Sequence, residues 1–122
     1  MQTVDYRSVL TASEPRKNLV HGRHRAVGRN HHGRITTRHK GGGAKRLWRD
    51  VDFLYKTDVP ATVVSIEYDP NRTGFIGLVL YRDGDYRYHL MPAEVKVGDG
   101  ILASETASLK PGNRRPLRLI PV

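Results

Sequence analysis

A chain of 122 residues is the size of one small domain with an appendage, and it leaves no room for two full cores. The formal charge of +9 points to a polyanionic partner, and the lack of cysteine removes disulfides and thiolate metal sites. The longest strongly apolar stretch, residues 75–81, is too short to cross a bilayer, and the first residues lack the pattern of a secretory signal or an acid-poor transit peptide, so neither a membrane nor a removable leader is expected.

The charge is divided unevenly along the chain. Up to Asp50 there are 12 Lys/Arg against 3 acids, whereas the remainder balances 9 against 9. His21, His24, His31, His32 and His39 share the basic half with few apolar residues, so residues 13–46 bury too little to order themselves and are expected to fold on a partner. The division expected is a basic arm over residues 1–46 and a small β domain over 47–122.

In chain order, the first element is at most a helical turn near Asp5 to Leu10. The stretch from Gly28 to Arg46 then interleaves cations with small residues. Arg29, Arg34, Arg38, Lys40, Lys45 and Arg46 can grip phosphate, arginine by a two-point fork, while Asn30, Thr36 and Thr37 can bond phosphate, sugar or base edges. Gly33, Gly41, Gly42 and Gly43 let the backbone come close to a ligand, and His31, His32 and His39 suit stacking or phosphate contact. A solvated tail would repeat Lys and Ser rather than mix these types. Gly41 to Arg46 does not read as a nucleotide-gripping loop, because no strand precedes it and no Ser or Thr follows Lys45; His31 and His32 are adjacent rather than spaced for a metal.

Trp48 is expected to cap the barrel core, with Arg49 beside it. Val51 to Tyr55 is expected as the first strand. Val64, Ile66 and Tyr68 alternate with Val63, Ser65 and Glu67, the period of a strand that buries one face, and Ile76, Leu78 and Leu80 are expected to form the next inward face. Asp83-Gly84 signals a hairpin into Tyr86, Tyr88 and Leu90; Pro92 ends that strand, Ile101 and Leu102 make a short one, and Leu117, Leu119 and Ile120 a last one. Five to six short strands with no helical period predict an all-β fold, a small OB-type barrel preceded by an extended basic arm. Asp50, Asp52, Glu67, Asp69, Asp83 and Asp85 are expected to face water, Ser65 and Ser104 lack a nucleophile setting, and no active site, cofactor, metal or small-molecule substrate is expected.

The run from Gly28 to Phe53, Glu67 to Arg72, Leu78 to Tyr81 with Asp83-Gly84, and Lys110 to Asn113 before Ile120-Pro121-Val122 resembles the amino-terminal half of large-subunit ribosomal protein two, the universal L-two family. The likeness spans roughly residues 28 to 122, with no clear match before it. It implies an OB barrel whose basic extension threads into large-subunit ribosomal RNA beside neighbouring ribosomal proteins. Carried to matching positions, it implies RNA contact by Arg29, Asn30, Gly33, Arg34, Thr36, Thr37, Arg38, His39, Gly41, Gly42, Gly43, Lys45 and Arg49, with Arg72 in the Tyr-Asp-Pro-Asn-Arg turn. His31 and His32 stand where relatives vary, and Trp48 where tyrosine is common.

Members of that family ordinarily continue into a second, SH3-like barrel. The expectation here is that a separate chain carries that half and docks on the apolar segment Leu117 to Val122, an arrangement suited to a mitochondrion; a longer chain cut at the domain boundary fits the sequence equally well. A stand-alone OB module that coats single strands is the alternative; it requires Tyr86 and Tyr88 as exposed stacking platforms.

Overall fold

The structure, a computed structural model, describes residues 5–12 and 14–121. Among these, α1 (Tyr6–Val9) is one helical turn, opened by Asp5, whose Oδ1 accepts the Arg7 N–H at 3.1 Å. Its Tyr6 ring packs on Phe75 and Tyr68 at centroid distances of 5.3 and 5.6 Å. A 3-10 turn at Lys17–Leu19 leads into β1 (Val20–Gly22), which pairs antiparallel with β2 (Leu47–Arg49). The second sheet contains β3 (Ala61–Glu67), β4 (Ile76–Tyr81), β5 (Tyr86–Leu90) and β6 (Gly100–Ile101), antiparallel in the order β5-β4-β3-β6. This strongly curled half-barrel with little helix is the all-β, OB-type fold that the strand pattern predicts.

The strands are not all where the pattern puts them. Val51 to Tyr55 forms no strand; only Val51 bridges Tyr88. The Asp52 carboxylate accepts the Leu54 N–H at 2.9 Å, a side-chain turn that competes with a sheet ladder, and Tyr55 is left at a φ of 27°. Leu117 to Ile120 is likewise no strand but a 3-10 turn, with Pro116 at a φ of −55° accepting the Leu119 N–H. Single bridges, Thr57 with Ala103 and Ala103 with Arg114, extend the wall where full strands were expected.

In β3 the buried face is also displaced. Val64 and Tyr68 are more than 40% exposed, whereas Val63, Ser65, Ile66 and Glu67 are buried. A register shift between Val63 and Ser65 breaks the two-residue period, and Thr11 covers the strand beyond it, accepting the Ile66 N–H at 2.8 Å on its hydroxyl. β4 is buried on both faces. Val79 and Tyr81 join Ala61, Val63, Ile66, Val95 and Ile101 in one cluster, while Ile76 and Leu78 join Tyr88 in another. Gly77 is open for a packing reason, since a β-carbon there would lie 2.5 Å from Met91 Sδ.

The second cluster is closed by Leu19, Val20, Val51 and Tyr86, so the start of the basic half is part of the barrel's packing. Arg16 donates its backbone N–H to the Tyr88 hydroxyl at 2.8 Å and stacks its guanidinium 3.8 Å from the Tyr86 ring. Tyr88 in turn donates to Glu67 Oε1 at 2.9 Å, and Ser65 donates to Glu67 Oε2 at 2.7 Å. Burial, joined by the Glu67 carboxylate, pushes the Tyr88 phenol up to about 12. Tyr88→Phe keeps the ring and strands both partners of the hydroxyl. We expect a loss of about 1–3 kcal/mol in urea unfolding, the usual cost of unsatisfied buried polar groups; an unchanged midpoint would show that Glu67 and Arg16 find other partners.

Candidate nucleic-acid interface

Residues 23–46 form one excursion whose two ends are held together by β1 and β2. Position by position, the register pairs Val20 with Arg49, His21 with Trp48 and Gly22 with Leu47, and His21 Nδ1 lies 3.3 Å from Asp50 Oδ1. Of the expected contact residues, Arg29 through Arg46 all lie on this excursion, Arg49 on β2, and Arg72 on the turn between β3 and β4. All are exposed except Asn30, Arg49 and Arg72, which are half-buried.

Poor apolar content predicts no fixed shape for this stretch without a partner, yet it carries its own hydrogen bonds. Arg29 bridges Ile35, and Asn30 Oδ1 accepts the backbone N–H groups of His32 and Arg34, both at 3.0 Å. The Gly28 carbonyl accepts from Thr36 N at 2.7 Å and from Thr36 Oγ1 at 3.3 Å. Asn30 and Thr36 thus spend polar atoms on shaping the tip. Gly28, at a φ of 75°, has no space for a side chain, because a β-carbon would meet the Thr37 carbonyl oxygen at 2.2 Å. Beyond the tip, His39 and Gly41 to Gly43 all adopt positive φ, which curls the returning segment; Arg25 holds that curl, donating to the Gly42 and Gly43 carbonyls at 2.9 and 3.3 Å.

At the root, Trp48 is half-buried rather than a cap on the core. The Arg23 guanidinium lies 4.6 Å and that of Arg72 5.8 Å from its ring, and Arg72 also lies 5.5 Å from Phe53. Arg72 is steered there by an ion pair of 3.2 Å with buried Asp69, while Asn71 donates to the Leu47 carbonyl at 3.0 Å. The turn from Asp69 to Arg72 is therefore fastened to the base of the excursion.

From Pro15 to Arg49 the chain contains no acid and 11 Lys/Arg. Among the described residues, none of those 11 takes part in an ion pair, whereas Lys56, Arg72, Arg87 and Arg118 of the barrel all do. Arg23 and Arg25, absent from the sequence-derived candidates, belong to this field; the signal for them was the continuous acid-free run, which begins well before Gly28.

The barrel's titratable groups are engaged in structure. Glu67 and Asp69, expected to face water, are buried with the partners given above. Burial opposes ionisation of Asp52, but the hydrogen bond from Arg87 at 2.6 Å and the Leu54 N–H outweigh it and hold the carboxyl below its usual range. His89, fully buried, donates from Nδ1 to the Asp52 carbonyl at 2.9 Å, and so accepts the Tyr81 hydroxyl at Nε2 at 2.7 Å. Burial depresses its pKa; the nearby Arg114 and Arg87 charges act in the same direction, while the Asp52 carbonyl and carboxylate oppose it. Tyr55 lies 4.7 Å from its ring.

The family model for "Ribosomal Proteins L2, RNA binding N-terminal domain" matches residues 16–103, from Arg16 at the root through the excursion and into the barrel. The chain belongs to the ribosomal protein L2 family. It is 52% identical over 117 residues to the large ribosomal subunit protein uL2 of Hyphomonas neptunium, an alignment covering 95% of this chain and 42% of that relative. The uL2 of Granulibacter bethesdensis gives the same figures, and that of Methylococcus capsulatus is 54% identical over 114 residues, 93% of this chain and 42% of the relative. The chain thus spans 42% of the length of these curated relatives, which are bacterial. The match reaches back to residue 16, earlier than the resemblance that starts at Gly28.

The depressed pKa of His89 makes L2-domain stability pH-dependent with a definite sign. Below the ordinary value of 6.5 the unfolded chain binds a proton that the folded chain refuses, so stability is full above that pH and is lost as pH falls toward the folded pKa. Urea unfolding at about pH 7.5 and about pH 5.5 is expected to show the lower midpoint at the acid pH, and His89→Gln to lower both midpoints while shrinking the difference between them. An unaltered pH difference in His89→Gln would assign the effect to another group.

Proposed function

We propose that this chain is a non-enzymatic constituent of a large ribosomal subunit, where the excursion over residues 23–46 acts as an RNA-binding arm and the OB-type barrel, with the segment before the excursion packed on it, holds that arm. The observation that carries this reading is the acid-free run of 11 Lys/Arg from Pro15 to Arg49, none ion-paired among the described residues, presented on one strand-tied excursion. Such uncompensated charge is costly in a free protein and favourable against crowded phosphates. Arg29, Arg34, Arg38, Lys40, Lys45 and Arg46 grip the RNA backbone; Asn30, Thr36 and Gly33 shape the tip, with His31, His32, Thr37 and His39 exposed for base or sugar contact. Gly41, Gly42 and Gly43 allow close approach, and Arg49 and Arg72 finish the contact at the root. Family membership and the names of the relatives support the ribosomal setting.

The single-strand-coating alternative gains no support, since Tyr88 is buried and Tyr86 is covered by Arg16. The relatives being bacterial, the setting we favour is a bacterial-type subunit; the mitochondrial expectation has no support from them. Among partners we include ribosomal RNA, neighbouring ribosomal proteins and the remaining portion of an L2-type protein. That portion would cover Leu117 and Ile120, which are 86% and 48% exposed, beside an open groove of about 660 Å³ lined by Leu54, Tyr55 and Pro116; Val122, at the end of the expected docking segment, lies outside the described residues. If a separate chain carries it, denaturing electrophoresis of native large subunits will give two L2-type polypeptides; one band with peptides from both portions would overturn that arrangement.

If the arm neutralises about 6–9 phosphates, the affinity of the nucleic-acid-free protein for large-subunit RNA will fall with salt at a log-log slope of roughly −4 to −8. A slope near zero would refute the RNA reading. Arg34→Ala with Arg38→Ala is expected to weaken RNA binding and leave the urea midpoint unchanged, because both side chains are exposed and support no core.

A further inference from the structure

The neck of the excursion concentrates charge in a manner that neither the tip nor the root requires. Arg23 and Arg25 leave β1 as Lys45 and Arg46 enter β2, and these four cations, with Gly22 and Leu47, line a pocket of about 330 Å³. A neighbouring pocket of about 250 Å³ reuses Arg23, Arg25 and Arg46 and is bounded by Trp48 and Asn71. No carboxylate lines either one, and none of the four cations is ion-paired among the described residues.

Three restraints fix this arrangement in place. The pairing of Gly22 with Leu47 sets the distance between the two sides of the neck. Arg25 spends one nitrogen on the carbonyls of Gly42 and Gly43, which ties the returning segment to the outgoing one. Arg23 lies on the Trp48 ring, and a guanidinium held by its face keeps its N–H edge free for a forked contact with an anion. Four cations exceed the charge of a single phosphodiester, and holding them together without a counter-ion is unfavourable, so the pocket fits an occupant carrying at least two negative charges close together.

We propose that the neck pocket is a binding site for two adjacent RNA backbone phosphates, with Arg23, Lys45 and Arg46 as the gripping groups and Arg25 as a positioning residue that keeps the pocket closed. The proposal rests on the RNA-binding reading and makes the neck a site separate from the loop tip. Rigid, converging donors are expected to bind a compact diphosphate more tightly than the exposed tip arginines, which have no such convergence.

Inorganic pyrophosphate is a direct probe, because it presents two linked phosphates without a base or sugar. The full chain, free of nucleic acid and in about 0.15 M KCl, is titrated while the arginine side-chain N–H signals are followed by NMR. The signals of Arg23, Arg25 and Arg46 are expected to saturate at a concentration about tenfold below that needed to move Arg34 and Arg38. If all arginines move together, the pocket is no site and the proposal fails. Arg25→Lys keeps the charge but loses the planar guanidinium whose one nitrogen bridges the Gly42 and Gly43 carbonyls, and Arg23→Gln removes a gripping group. Each is expected to weaken pyrophosphate binding about tenfold, with Arg34→Ala plus Arg38→Ala leaving it unchanged. A silent Arg25→Lys would remove the positioning role. Pyrophosphate binding at the neck with no salt-dependent RNA affinity would sink the RNA reading while sparing an anion pocket; the reverse result would sink the pocket alone.

Discussion

The phenol of Tyr88 is the joint on which the two halves of the chain turn. Its ring fills the cluster with Ile76 and Leu78, while its hydroxyl accepts the Arg16 backbone N–H and donates to Glu67, so a single side chain couples sheet packing to the start of the basic half. Once Arg16 is fixed there, Leu19 and Val20 lie over the same cluster and β1 can meet β2. A flexible attachment would spread the cations over a large volume; this one delivers both ends of the excursion to neighbouring positions and so confines the intervening charge.

Confinement sets attachment against repulsion. The basic run holds no acid that could offset its cations, and the ion pairs of the described residues leave its Lys and Arg free while drawing in Lys56, Arg72, Arg87 and Arg118 of the barrel. What holds the excursion is backbone and dipole chemistry: Asn30 and Gly28 gather N–H groups at the tip, Arg25 gathers carbonyls at the return, and guanidiniums lie on Trp48 at the root. These restraints are local and electrically neutral at their acceptors. The positive field is therefore available to a polyanion, and at the neck, where the two arms of the excursion meet, four of its cations line one pocket.

The hairpin through Asp83 and Gly84 and the strands β4 and β5 were legible because turn chemistry and alternation are properties of a few adjacent residues. The exposure of Val64 was not legible for the opposite reason: the bulge after Val63 depends on how β3 meets β4, and Thr11, more than fifty residues away in sequence, decides what covers Ile66. Val51 to Tyr55 has strand-forming residues, but Asp52 bends it and the rings of Tyr55 and His89 come together only in the folded barrel. Arg23 and Arg25 carried no local mark beyond charge. Their importance follows from what faces them across the neck.

By itself the sequence determined the class of fold, the basic character of the first half and the L2 likeness, since composition, period and motif spacing are written along the chain. Only the tertiary structure decided which face of each strand is covered, that Leu19 and Val20 belong to the barrel's packing, and that four cations separated by some twenty residues share one pocket. The physical reason is that burial and charge convergence are pairwise quantities. They depend on distances between distant segments, and those distances are set by the β1–β2 register and the curl of the sheet, which no single stretch of residues encodes.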